Sequence, residues 1–273
     1  MIRRRGLHIL ARIVLAVWLV MPLLILGIWS VAHGWRFPAL VPGEVSFAAW
    51  SYVLSSASGV GASLGLTLSI AVATAVIATV ISYPAGRALG RHRFPGRFAV
   101  LVLVLAPAVL PALAVALGLQ GLFLRLGLTG TVSGVVLAHL IPALPYPTLV
   151  MTAAFAAFEP EFEHQARSLG ARPLQVLAHV TLPAVAPALR VGAALAFLVS
   201  WSQYLLTLGI GAGKVQTLPL VLFTFATSGR NDLTGAVSLV HLLPALLVVG
   251  FTLALRMFHR VGGGRWSVPG VGG

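Results

Sequence analysis

Residues 159–189 read EPEFEHQARSLGARPLQVLAHVTLPAVAPAL, the longest polar-looking segment in a chain that is otherwise mostly hydrocarbon, with three of its five acidic residues. The spacing predicts two short helices on either side of a glycine. Pro160 fits a first helical turn, where its missing N–H costs nothing. Glu159 and Glu161 lie at the positive end of that helix. Phe162, Ala166 and Leu169 share one face, and Glu163 and Arg167 stand four apart in the order that favours an ion pair. Gly170 suits the position just past a helix end. Pro173 opens the second helix, Leu174, Leu177 and Thr181 line its face, and Pro183 closes it, with Pro187 near the start of the next apolar run. A short helix is marginal alone in water, so this knuckle needs a neighbour. That neighbour is either the chain's own bundle or a separate partner.

The surroundings of the knuckle are those of an integral membrane protein. Of 273 residues, 59% are hydrophobic and only 8% are charged, too little charge for an ordinary soluble domain. The opening apolar run alone could be a signal peptide or anchor, but several runs approach or exceed the roughly 18 residues that cross a bilayer as helix, so an integral membrane protein is expected. The β-barrel alternative needs short alternating segments, which are not found. The absence of cysteine excludes disulfides and cysteine-ligated metal. The net charge of +13 reflects arginines at the ends of apolar segments, which topology explains better than nucleic acid does.

Six spans are expected, at about Ile9 to Ser30, Val60 to Tyr83, Phe98 to Leu119, Val132 to Phe155, Ala188 to Ile210 and Thr234 to Phe258. They divide the chain into a cytoplasmic N-terminus over 1–8, a membrane domain over 9–258 with a cytoplasmic loop at 159–187, and a flexible tail over 259–273. With the N-terminus inside, 14 of 18 basic residues face the cytoplasm, and only Arg36, Arg125, Lys214 and Arg230 face out. Both termini are therefore expected in the cytoplasm. Phe47, Trp50 and Tyr52 in the loop 31–59 suit a piece at the membrane interface or one packed on helix ends. Pro107, Pro111, Pro142, Pro145 and Pro147 interrupt spans three and four.

No Asp or Glu falls inside an expected span, which weighs against ion-coupled transport. His139 and His241 are the neutral candidates, though each reads more simply as a histidine bonded to a neighbouring helix. There is no P-loop, HExxH or GxSxG motif, and the glycine spacing of GIGAGK at 209–214 suits a turn rather than a phosphate site. No metal site is expected.

Residues 164–183, HQARSLGARPLQVLAHVTLP, resemble the EAA loop of permeases of binding-protein-dependent ABC importers: Gly170, Val180, Leu182 and Pro183 match its spacing, and Ala166 keeps one of its two small residues. His164 stands at the motif glutamate and Gln165 at its first alanine, while Glu163 lies about 100° away around the helix. Residues 197–226, FLVSWSQYLLTLGIGAGKVQTLPLVLFTFA, are similar to the branch with spermidine/putrescine, thiamine and iron permeases. The resemblance implies an all-α, six-helix, type I (MetI-like) fold in the bacterial inner membrane, a second permease subunit, a cytoplasmic ABC ATPase dimer and an extracytoplasmic solute-binding protein. It implies a non-catalytic subunit without cofactors. Glu163, His164, Gln165, Ala166, Arg167, Leu169, Gly170, Leu174, Leu177, Val180, Leu182 and Pro183 would form the coupling loop, and Ser200, Gln203 and Tyr204 could line the path of a small polar, polyamine-like solute. An independent carrier or channel, or an assembly protein, would lack the ATPase partner.

Overall fold

In the computed structural model the described residues are 2–35, 38–39 and 41–262, with side chains described over 12–18, 20–35, 38–39 and 41–254. Helix α1 covers Ile2–Val31, followed by a two-residue ribbon, β1 (Ala32–His33) antiparallel to β2 (Glu44–Val45), and by α2 (Ala48–Leu54). Then come α3 (Val60–Arg91), α4 (Arg97–Val109), α5 (Ala112–Arg125), α6 (Val132–Ala143) and α7 (Pro145–Ala157). The knuckle holds α8 (Glu161–Ser168) and α9 (Pro173–Val176), and a π turn at Leu177–Thr181 leads into α10 (Leu182–Trp201). Helices α11 (Leu205–Gly211), α12 (Leu218–Thr227) and α13 (Asn231–Gly262) complete the chain.

The six expected spans are met in part. Four helices are long and apolar enough to cross a membrane, at Arg12–Val31, Val60–Arg91, Pro173–Trp201 and Asn231–Ala254. The third and fourth expected spans are each a bent pair, by 104° between α4 and α5 and by 48° between α6 and α7. Prolines cause both bends. Leu110 is extended ahead of Pro111, as the residue before a proline prefers. Pro142, Pro145 and Pro147 crowd the second junction and remove backbone donors.

The fifth span departs most from expectation. Pro183 does not close a helix: the helix runs from Pro173 to Trp201 without a break, with Pro187 inside it. The π turn just before Pro183 widens the backbone where the proline ring would otherwise meet the preceding turn. The extra residue also rotates the register, so Leu174, Leu177 and Thr181 do not share a face: Leu174 is exposed, Leu177 half-buried and Thr181 buried. At its far end the helix stops at Trp201, not Ile210. Residues 202–204 break it, and α11 restarts at Leu205. The second span runs on past Tyr83 to Arg91. The expected tail 259–273 begins within α13, which reaches Gly262, and its remainder lies outside the described residues, as do the side chains of Arg3, Arg4, Arg5, Arg256, Arg260 and Arg265 and the whole of Arg36.

The chain falls into two compact units. The first is Met1–Thr67 with Gln216–Pro244. In it Gly235 lets α13 approach α1, since a Cβ there would lie 2.8 Å from the Leu26 carbonyl oxygen. The Trp50 indole donates to Ser30 Oγ at 3.2 Å, and Leu218 N–H donates to Thr67 Oγ1 at 2.8 Å. Thus α2 divides the two readings of its aromatics: Trp50 is bonded to a helix end while Phe47 stays exposed.

The second unit is Leu68–Val215 with Ala245–Gly273. Its core joins Met151 and Phe155 of α7 to Val185 of α10, with Tyr83, Phe158, Ala188 and Leu189 against them. A Cβ on Gly192 of α10 would lie 3.1 Å from Pro147. Gly86 and Gly90, one turn apart on α3, press on α7: a Cβ on Gly86 would strike Met151, and one on Gly90 would lie 2.5 Å from the Thr152 carbonyl oxygen. Small residues at this spacing allow helix backbones to meet, and Ser82 and Thr148 bond beside them at 3.0 Å.

Candidate functional site: the helical knuckle at residues 159–183

Helix α8 begins after Pro160, whose carbonyl accepts from the N–H groups of Glu163 and His164. It ends in a six-residue cap. Gly170 takes φ of 86°, its N–H reaches Arg167 O, and Ala171 N–H reaches Ala166 O. This pairing satisfies the last carbonyls of the helix and needs a residue at ease with positive φ. The second helix is capped by Gln175, whose side-chain oxygen accepts from the Arg172 N–H at 2.8 Å.

Glu163 turns inward. It is 3% exposed on a helix whose other charged groups face solvent. Arg87 Nη2 reaches its two oxygens at 3.2 and 2.9 Å, Arg91 Nη1 reaches Oε2 at 2.9 Å, and the Thr181 hydroxyl donates to Oε1 at 2.8 Å. Burial alone would raise its pKa, but the Thr181 hydrogen bond, then Arg91 and Arg87, outweigh burial and hold it below the ordinary 4.5. The guanidiniums also lie over aromatic faces, Arg87 at 6.0 Å from the Phe155 ring centre and Arg91 at 5.7 Å from that of Phe158. The expected Glu163–Arg167 pair is therefore replaced. A buried carboxylate takes the two guanidiniums that reach it from α3, and Arg167 stays exposed.

The remaining knuckle residues point outward. Leu169 is 88% exposed, Leu174 78% and Phe162 51%. His164 and Gln165 are exposed beside them, Ala166 and Val180 are half-buried, and Leu182 and Pro183 lie on the open side of the first turn of α10. A concavity of about 460 Å³ lies between the two short helices, lined by Ala166, Leu169, Gly170, Val176, His179 and Val180.

The three residues expected on a solute path sit where α10 breaks. Ser200 is buried and bonded to His139 Nδ1 at 2.9 Å, while His139 Nε2 meets Thr207 Oγ1 at 2.9 Å. The Thr207 hydroxyl donates to the Gln203 carbonyl at 3.0 Å. One tautomer satisfies the set: Nε2–H donates to Thr207, and Nδ1 accepts from Ser200. Gln203 and Tyr204 are half-buried. His139 is thus a bonded interhelical histidine. GIGAGK forms a turn in which Ala212 and Gly213 have positive φ, and the Lys214 stem crosses Gly130. Among the described residues no group of three or more His, Cys, Asp or Glu could hold a metal.

From the sequence alone, Arg87 and Arg91 count only among the 14 basic residues expected on the cytoplasmic side, and Gly86 and Gly90 carry no expectation. The signal was present in GRALGR at 86–91, two glycines and two arginines each four apart. That spacing puts the glycines on one stripe of the helix and the arginines on the next.

The sequence profile described as "Binding-protein-dependent transport system inner membrane component" matches residues 78–262. A protein named as a 2-aminoethylphosphonate transport system permease, PhnU of Salmonella typhimurium, is 30% identical over 138 residues, 50% of this chain and 46% of that one. The putrescine transport system permease PotI of Escherichia coli is 30% identical over 42% of this chain and 41% of its own. The chain spans about half the length of the curated relatives it matches. A chain from the crystal structure of a bacterial ABC transporter that imports the acidic polysaccharide alginate has a TM-score of 0.69 at 20% identity, covering 92% of this chain and 96% of that one. One from the inward-facing MetNI methionine ABC transporter has a TM-score of 0.57 at 18% identity, covering 71% and 93%. These two likenesses establish the fold.

Proposed function

Because this chain belongs to the family of binding-protein-dependent transport system inner membrane components, we propose that it is one permease subunit of an ATP-driven importer. It forms half of a translocation pathway with a second, identical or homologous subunit. It is not the ATPase: hydrolysis resides in a cytoplasmic ABC ATPase dimer, and a solute-binding protein delivers solute from outside. The observation that carries this reading is the knuckle. Leu169 and Leu174 are large apolar residues, 88% and 78% exposed, on two short helices fixed from behind by a buried ion cluster. A rigid apolar prominence of this kind suits a groove on a partner.

The arginine distribution supports an orientation with the knuckle and both termini in the cytoplasm. Ser200, Gln203 and Tyr204, at the break between α10 and α11, are the residues proposed nearest the solute path, Ser200 acting through its bond to His139. The solute is small and polar, and polyamine-like. The name of PotI supports that class, and PhnU adds another amine-bearing solute.

The test is purification from native membranes in mild detergent with identification of every co-purifying protein. A stoichiometric P-loop ATPase, lost when residues 159–183 are altered, is the expected result. The chain recovered alone, transporting without ATP, would overturn the reading. A photo-crosslinker at His164 should reach the ATPase, and crosslinks only to this chain's own helices would place the knuckle against its own bundle. Competition of uptake by putrescine and by 2-aminoethylphosphonate then sorts the solute class.

A further inference from the structure

We infer that Glu163 is the pin through which movement of the knuckle is passed into α3 and α10, rather than a contact to the docked partner. This rests on the proposed docking of the knuckle to an ATPase. Glu163 neighbours His164, which stands at the position where the resembling motif has its glutamate, yet its carboxylate points away from the exposed face. It touches three separate elements at once. It lies on α8, it accepts from Thr181 at the root of α10, and it holds Arg87 and Arg91 at the end of α3. The covalent route from α8 to α10 passes through Gly170 at φ of 86°, with no neighbour within 4 Å of where a Cβ would stand. That turn meets no packing neighbour at Gly170, whereas the carboxylate is tied directly to α3 and to the root of α10. Helix α10 then runs unbroken to Trp201, immediately before the break that carries Gln203 and Tyr204. Displacement of α8 is thereby delivered to the far end of α10 as a rigid-body movement, and to α3 through two guanidiniums wedged on Phe155 and Phe158. Glu163 is a positioning residue in this scheme, acting through Thr181, Arg87 and Arg91.

The chain contains no cysteine, so a single probe placed on it meets no competing thiol of its own, and cysteines of the partners are replaced beforehand. In the full complex purified with its ATPase, spin labels are attached at Ser168→Cys, an exposed position on the knuckle, and, separately, at Ser202→Cys beyond α10. ATP with orthovanadate is expected to change both signals in the otherwise native chain. In the Glu163→Gln background the Ser168 label should still respond, ATP should still be hydrolysed, and the response at Ser202 should fall roughly tenfold, a loss typical of broken coupling between distant sites. A residue that merely stabilises the fold would lower the yield of complex without separating the two labels. An unchanged response at Ser202 in Glu163→Gln, or no response there in the native chain, overturns the inference while leaving docking intact. Absence of the ATPase, with a silent Ser168 label, overturns the docking reading itself. Should Glu163→Gln fail to assemble, Thr181→Val removes a single hydrogen bond and should reduce the Ser202 response roughly fivefold; no reduction overturns the inference equally.

Discussion

Two polar clusters are buried in the same unit of this chain, and they are built on opposite principles. The cluster behind the knuckle is ionic: one carboxylate, two guanidiniums and a hydroxyl, at the ends of helices. The cluster at His139 is neutral: an imidazole and two hydroxyls that satisfy one another between α6, α10 and α11. The ionic set keeps a route to water, because the Arg87 side chain remains 33% exposed. The neutral set has none, with His139, Ser200 and Thr207 each at 2% exposure or less. Full charge is expensive away from water, whereas neutral hydrogen-bonded groups are tolerable there. The chain thus places strong, directional fastening where a helix end must be held, and modest fastening where apolar helices already meet.

The largest effect should come from breaking the ionic set on one side only. Glu163→Ala leaves two guanidiniums facing each other without a counter-charge and should cost about 4 kcal/mol, read as loss of folded protein in a detergent thermal-aggregation assay. The same cluster predicts a pH dependence of defined sign. The folded pKa of Glu163 is below the ordinary 4.5, so its stabilisation is complete above that value and is lost as pH falls through the folded pKa. The difference in melting midpoint between the native chain and Glu163→Gln should be constant from neutral pH down to about 5 and shrink below 4.5. A gap that widened on acidification would contradict the cluster.

Next in size is Gly90→Val, which attacks the approach that brings the arginines into place. Its Cβ would meet the Thr152 carbonyl oxygen at 2.5 Å and Phe155 at 2.9 Å, and backbone cannot step aside as a side-chain tip can. A cost of about 3 kcal/mol is expected, measured by the same assay.

The neutral set should respond more mildly, and in a way that distinguishes it. His139→Leu leaves the buried Ser200 hydroxyl unmatched and should cost about 2 kcal/mol. Adding Ser200→Ala and Thr207→Val should recover much of that, because a fully apolar set has nothing left unsatisfied. Failure of the triple variant to recover would mean that the neutral cluster is more than fastening. The smallest stability effect belongs to Gly170→Val, about 1 kcal/mol for a branched residue forced into positive φ, since space around it is open. Membrane insertion should survive it, while ATP-driven uptake should not.

Much of the fold was legible because hydrophobic length and arginine placement are strong signals. The membrane class, the prolines that bend the third and fourth spans and the C-terminal turn at Gly170 all follow from local rules. The misreadings arose where a distant partner overrode a local rule. Glu163 and Arg167 satisfy the i,i+4 pattern, but nothing within α8 announces two arginines 72 and 76 residues away. Pro183 ordinarily ends a helix, but the π turn before it makes room and the helix continues. Span five reads through to Ile210, although its polar stretch Ser202, Gln203 and Tyr204 falls at the break, because Gln203 and Tyr204 read equally well as the lining of a path. For the site, the helix–glycine–helix outline was readable and the inward clamp was not, apart from the paired spacing in GRALGR.

The π turn at Leu177–Thr181 has one more effect. A helix with a surplus residue in one turn is phased separately on its two sides. The knuckle's azimuth therefore differs from the one an unbroken α-helical shaft would impose on it. Removing a single residue within that turn would swing the exposed leucines by about 100° and carry Glu163 off Arg87 and Arg91. The surplus residue thus sets both which way the leucines face and whether the carboxylate meets its arginines.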